Sequence, residues 1–321
     1  MLELHSSGTP LVVETPEIRA ENLPTVLATL QGCWKSSSLL WLQANGFPVL
    51  PGLILRVWSE ASHQAVIRFC RERNCSQLLL RVEKPRQRWT RQRGGYIVPL
   101  EQVPDAVASH AKEELIAILL EPASPYTDAY SLACVCDIAL GSADVEVVGP
   151  GFDASDILRG DITPHERFEV SLGGEHAHLH HPRVKRTFLI DQEPYLATVQ
   201  RRLIKIGAKL RNPSFPDEVM TSSSSQNLAE EAEDYLTSSG QTTLLKHRGA
   251  YEPIPPTLFE VFLHQASRLR RTFLSASLPW RTLSFACGFL PRERFIIWDL
   301  FSPETDDTRK LAELRPLQGH R

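Results

Sequence analysis

Gln31 to Leu55 reads QGCWKSSSLLWLQANGFPVLPGLIL: a glycine-and-lysine turn, a short apolar helix and then an apolar strand. Leu39, Leu40 and Leu42, with Trp34 as a further candidate, fall on one side at helical spacing. Ser36, Ser37 or Ser38 is placed to cap the first turn by accepting from free backbone N–H groups. Asn45-Gly46 supplies the stop, because glycine takes the left-handed conformation that closes a helix and Pro48 and Pro51 forbid its continuation. Lys35 is left at the helix start, where the dipole is positive and a cation is out of place. An anion held there by backbone N–H groups and the lysine would account for it. A solvated surface lysine is the other reading.

Composition sets the frame around this stretch. The 321 residues suffice for one large two-lobed domain or two small ones. A hydrophobic content of 42% with 23% charged residues is that of a globular protein. The net charge of -3 gives no bulk attraction to nucleic acid or to an anionic membrane. Cys33, Cys70, Cys75, Cys134, Cys136 and Cys287 show no CxxC pair and no dense framework, so reduced thiols in a cytoplasmic protein are expected. Neither a charged-then-apolar leader nor a membrane-length apolar run is seen, and a membrane partner is not expected.

Outward from the opening stretch, Leu11 to Glu14 suggests a short strand and Leu23 to Leu30 a helix. Ser59 to Arg73 suggests a helix capped by Ser59. Leu78 to Val82 reads as a buried strand bearing Arg81, a cation that needs an anionic partner, either Glu83 or a phosphate. The segment that follows, KPRQRWTRQRGG, holds Lys84, Arg86, Arg88, Arg91 and Arg93 before Gly94-Gly95. It admits three readings: a mobile lid closing over a polyanion, a solvated basic hairpin, or a nucleic-acid contact built from arginines around Trp89. Pro99 to Ala111 suggests a helix and Leu115 to Leu120 a central strand.

The opening stretch resembles the ATP-binding domain of phosphoenolpyruvate synthase, pyruvate phosphate dikinase and their relatives. That domain begins with Gly-Gly-Lys, a Leu-rich helix, a glycine and Pro-Val-Pro-x-Gly. Here the same features are Gly32 to Lys35, Leu39 to Leu42, Gly46, and Pro48-Val49-Leu50-Pro51-Gly52. A second segment of the family is matched, in the correct order, by Gly149-Pro150-Gly151, Ile157-Leu158-Arg159-Gly160 and Asp161-Ile162-Thr163-Pro164-His165 before Phe168. The resemblance implies an α+β, ATP-grasp-like fold with two lobes around a nucleotide cleft. Residues 1–119 would form the N-terminal lobe with the lysine turn and basic lid, and residues 120–321 a C-terminal lobe with metal- and phosphate-binding strands.

It further implies ATP and Mg as cofactors and phosphoryl transfer to an unidentified acceptor. Lys35 and Arg81 take the catalytic and phosphate-binding places, Arg93 lies in the lid, and Glu121 and Asp128 stand at the hinge for adenine and ribose. The family glutamate is replaced by Ser155, flanked by Asp153 and Asp156. The C-terminal metal positions read Ser284 and Asp299, so Asp299 with Asp153 or Asp156 would hold the metal. The acceptor would come from a partner protein or bind as a small molecule, and nucleic acid is not the expected partner. The altered Arg-Ser-Ser and metal positions leave open a degenerate nucleotide-binding or assembly module.

His176, His178, His180 and His181 lie in GGEHAHLHHP. On a strand the first three share a face that can converge on a metal; a polar surface hairpin is the reading taken, since no acidic or thiol ligand has suitable spacing nearby. Further on, Pro194 to Leu210 suggests a helix whose Arg201, Arg202, Lys205 and Lys209 form a solvated face. Leu228 to Leu236 suggests an acidic helix. Pro256 to Leu274 suggests one whose Arg268, Arg270 and Arg271 complement the dipole. Leu283 to Cys287 and Arg294 to Leu300 read as a terminal hairpin.

Overall fold

The structure is a computed structural model, which describes residues 12–15, 18, 21–30, 33–83, 96–112, 116–121, 130–149, 152, 164–173, 185–188, 195–211, 225–239, 245, 252–275, 281–290 and 294–301. It is α+β, as expected, and its contacts group into two compact units. The first takes in the described residues within Met1–Ser124 together with Trp298–Leu300. The second takes in those within Pro125–Ile297, with Phe301.

The first unit holds strands β1 (Val12–Glu14), β2 (Gly52–Leu55), β3 (Gln77–Glu83), β4 (Tyr96–Pro99) and β5 (Ile116–Leu120). Its helices are α1 (Leu23–Thr29), α2 (Trp34–Ala44), α3 (Glu60–Arg73) and α4 (Val103–Lys112). The strands form one sheet in the order β1-β2-β5-β3-β4, antiparallel throughout. GLIL and IAILL, the sequences of β2 and β5, are buried at every position, which is why they are unbroken apolar runs. Leu53, Leu55, Leu78, Leu80, Val82, Ala117 and Leu119 pack with Ala65, Val66 and Phe69 of α3 and with Val103 and Val107 of α4. The period of two along β3 sends Leu79, Arg81 and Glu83 to the opposite face.

Local signals account for the helix ends. Ser59 caps α3, its side chain accepting from Ser62 N at 3.2 Å. At the end of α2 Gly46 has φ of 69°, the left-handed turn the sequence called for. At the start of α2 the expectation of a serine cap is corrected: the cap position is Cys33, and no side chain of the cap residue bonds the first turn.

The second sheet holds β6 (Ser131–Asp137), β7 (Ser142–Val148), β8 (Glu166–Ser171), β9 (Lys185–Phe188), β10 (Thr282–Leu290) and β11 (Arg294–Phe301), in the order β11-β10-β6-β7-β8-β9, and all of it but Trp298–Leu300 belongs to the second unit. The terminal hairpin strands are neighbours, as read from sequence. Helices α5 (Tyr195–Arg211) and α6 (Ser225–Ser238) pack with Ala133, Val148 and Phe152 through Val199, Leu203, Ile206, Ala229 and Leu236. They approach so closely that a Cβ on Gly207 would stand 1.9 Å from the Leu228 carbonyl oxygen. Helix α7 (Pro256–Ser275) lies on the other face of the sheet, stacking Phe259 on Phe168 and Phe262 on Phe285.

Two arginines read as solvated or dipole-facing prove otherwise. Arg202 is buried. Arg270 is buried too, and donates through Nε to Ile138 O at 2.8 Å, through Nη2 to Ala139 O at 2.9 Å and through Nη1 to Leu172 O at 3.3 Å. Those carbonyls belong to the turn after β6 and to the residue after β8, where no strand partner is available, so the guanidinium fork meets a need of the sheet rather than of the helix.

Candidate functional site

The first turn of α2 is the polar centre of the first unit. Its free amides point at Glu83, the last residue of β3. Lys35 N donates to Glu83 Oε1 at 2.5 Å, and Ser36 N and Ser36 Oγ both donate to Glu83 Oε2 at 2.9 Å. An anion does occupy the helix start, and it is one of the chain's own carboxylates. Burial pushes the Glu83 carboxyl above its ordinary value, and the hydrogen bonds from Ser36 and Lys35 pull the other way.

Arg81, two residues earlier on the same strand face, has a different partner. Its guanidinium pairs with the Asp299 carboxylate and donates to Trp298 O at 3.1 Å. Trp34 Nε1 donates to Leu300 O, so Trp298–Leu300 is held within the first unit at two points. Lys35 completes the group, its Nζ donating to Val82 O at 3.4 Å. Burial lowers the Lys35 pKa, the neighbouring Arg81 charge lowers it further, and Asp299 and Glu83 work against both. Two cations thus stand near each other in a partly buried cluster, Arg81 paired with Asp299 and the Lys35 ammonium bonded to a backbone carbonyl.

Of the residues named from sequence, Lys35, Arg81 and Asp299 meet in this cluster. Asp299, expected as a metal ligand, gives Oδ2 to Arg81. Glu121 follows β5 directly; its amide donates to Pro51 O at 2.9 Å, and its carboxylate lies 3.7 Å from Arg73 of α3. Arg93, Asp128, Asp153, Ser155, Asp156 and the histidines at 176, 178, 180 and 181 lie outside the described residues. Among the described residues no group of three or more His, Cys, Asp or Glu side chains could hold a metal ion. No helix among them is long and apolar enough to cross a membrane.

Sequence reading missed Glu83 as the acceptor at the helix start. Part of the signal was available: residues two apart on a strand share a face, so Glu83 had to lie on the same side of β3 as Arg81.

In the second unit, of the stretch whose likeness to the dikinase family was read from sequence, Gly149, Pro164 and His165 are described, with Phe152 between them. His165 N donates to Val147 O at 2.8 Å, and its Nδ1 accepts from Gly149 N at 2.9 Å. Its ring meets Phe152 edge-on at 5.2 Å. Burial pushes the imidazole pKa down to about 4. The Nδ1 acceptor role places the proton of the neutral ring on Nε2. This histidine ties Gly149 to the start of β8.

No protein-family model matches the chain, and no curated protein matches it. Among solved structures it is similar to D-alanyl-alanine synthetase A from Vibrio cholerae O1 biovar eltor str. N16961, at 13% identity and a TM-score of 0.32, over 92% of this chain and 62% of that one. It is also similar to the D-cycloserine synthetase DcsG, at 12% identity and a TM-score of 0.37, over 96% of this chain and 86% of that one. The chain therefore spans less than two thirds of the first of these proteins. At these values neither likeness transfers a site or an activity.

Proposed function

We propose that this protein binds ATP in an ATP-grasp-like fold and directs the triphosphate to the start of α2. The supporting observation is the meeting of Lys35 and Arg81, from separate elements, in one partly buried cluster. Each cation destabilises the other, and a bound polyphosphate would relieve that repulsion better than the two carboxylates do, since it brings more negative charge to the same place. Phosphate oxygens would engage Lys35 Nζ and the Arg81 guanidinium, with Glu83 keeping the first turn of α2 in position. Phosphoryl transfer to an acceptor from a partner protein or a small molecule is the reaction that follows from this reading. The described carboxylates do not by themselves form a magnesium site, because Asp299 is engaged by Arg81 and Glu83 by α2, so no step is assigned to the metal.

The test is an ATP titration with and without Mg²⁺, following melting temperature and release of ADP, AMP or phosphate. ATP at a hundred times its Kd is expected to stabilise the protein by about 2.7 kcal/mol, and Lys35→Ala is expected to abolish most of that gain. Binding without any product would assign a nucleotide-binding or assembly role. Absence of binding in the unsubstituted protein would sink the reading.

A further inference from the structure

Helix α3 ends in a turn that brings two cysteines together. Asn74 takes the left-handed conformation with φ of 49°. Asn74 N donates to Arg71 O at 3.3 Å and Cys75 N to Cys70 O at 3.0 Å. These two bonds, six-to-one outside five-to-two, define the Schellman ending of a helix, in which the residue after the left-handed one is folded back onto the residue that accepts its amide. Usually that contact joins two apolar side chains. Here both are cysteines: Cys70 lies in the core with Phe69 and Val66, and Cys75 packs against that core, half-buried.

We propose that Cys70 and Cys75 form an oxidant-responsive dithiol, closed to a disulfide by small-molecule disulfides such as oxidised glutathione. The turn supplies the proximity that a bridge needs, since the six-to-one bond sets the Cys75 amide 3.0 Å from the Cys70 carbonyl and folds one residue back onto the other. The accessible partner starts the exchange. The Cys75 thiolate attacks one sulfur of oxidised glutathione, forming a mixed disulfide and releasing one glutathione thiolate. Cys70 then gives its proton to solvent and attacks the Cys75 sulfur, expelling the second glutathione thiolate. Two protein thiols are oxidised to one disulfide, and one oxidised glutathione is reduced to two thiols. Burial pushes the Cys70 thiol up to about 12, with Cys75 beside it adding to the shift, so the second step is the slow one and quickens as pH rises. The proposal is independent of the nucleotide reading.

The experiment treats the whole native protein with oxidised glutathione at mildly alkaline pH, blocks remaining thiols by alkylation, and maps the tryptic peptides without reduction. Arg71 and Arg73 separate the two cysteines, so a bridge joins Phe69-Cys70-Arg71 covalently to the peptide that starts at Asn74. The expected result is that linked pair, lighter by two hydrogens than its reduced components and split by a reducing agent. Cys70→Ser should stop at Cys75 carrying one glutathione, and Cys75→Ser should leave Cys70 alkylatable only after unfolding. An unlinked Cys70 peptide from the oxidised native protein would overturn the proposal, as would Cys75→Ser taking up glutathione at Cys70 at the unsubstituted protein's rate. Mapping the unsubstituted protein decides the matter even if a variant folds poorly.

Discussion

Replacing Glu83 with alanine removes the acceptor for Lys35 N, Ser36 N and Ser36 Oγ in one step. A helix cap is typically worth about 0.5–2 kcal/mol. Removing one member of a buried charge network costs about 3–5 kcal/mol, because partners stay buried without compensation. Relief from burying the carboxylate offsets part of the sum, so a net loss of about 3–4 kcal/mol is expected for the first unit. Glu83→Gln keeps the shape and one acceptor oxygen but sets an NH₂ group against a second donor, for a loss of about 2 kcal/mol. Urea unfolding followed by tryptophan fluorescence, to which Trp34, Trp41 and Trp58 of this unit contribute, reads the change, and with slopes of about 1–3 kcal/mol per molar the alanine midpoint should fall by at least about 1 M.

The pH dependence adds a second check on the same residue. A carboxyl raised in the folded state contributes stability that is complete below its unfolded value, 4.5, and is lost as pH rises through the folded value. The first unit should therefore weaken on going upward from pH 4.5, and the glutamine variant should lose that slope. A stability of the alanine variant unchanged to within about 0.5 kcal/mol would refute the account of α2. So would parallel pH curves for the glutamine variant and its parent.

Three further outcomes concern the second unit. The His165 imidazole is held down at about 4, so the stability it contributes is present above its ordinary 6.5 and lost as pH falls through 4. That amounts to about 3 kcal/mol in all, and His165→Asn, which keeps an acceptor for Gly149 N, should remove this part of the acid sensitivity in a pH series of melting curves. Gly207→Ala places a methyl group on the Leu228 carbonyl, a backbone atom that cannot swing aside. A loss of about 3 kcal/mol is expected, with faster hydrogen exchange in α5 and α6. Arg270→Met leaves three carbonyls unmet, and chemical denaturation should show a loss of about 3–5 kcal/mol, only partly restored by Arg270→Lys. A loss below about 1 kcal/mol would mean that water serves those carbonyls equally well.

Local chemistry was the legible part of this chain. Ser59 announced the start of α3, Gly46 the end of α2, and the unbroken apolar runs of β2 and β5 announced strands covered on both faces. Pairing across long sequence distance was not legible. Arg81 was known to need an anion, but nothing near it indicated Asp299, which reaches it through the fold. The serines at the start of α2 looked like caps because that is their commonest use, whereas a carboxylate from another strand already satisfied those amides. Arg270 carried the same lesson, since its position near a helix end suggested the dipole while the turn after β6 had the stronger demand for donors. Long, branched donors are assigned by whichever carbonyls lack partners, and those are set by topology.

The fastening of Trp298–Leu300 to the first unit has a consequence for biosynthesis. Arg81 and Asp299 are 218 positions apart. A ribosome adding about 5–20 residues per second needs on the order of 10–40 s between them. Throughout that interval the nascent first unit holds Arg81 with its later carboxylate still unmade. The first unit therefore waits for β11 before the charge on Arg81 meets its carboxylate.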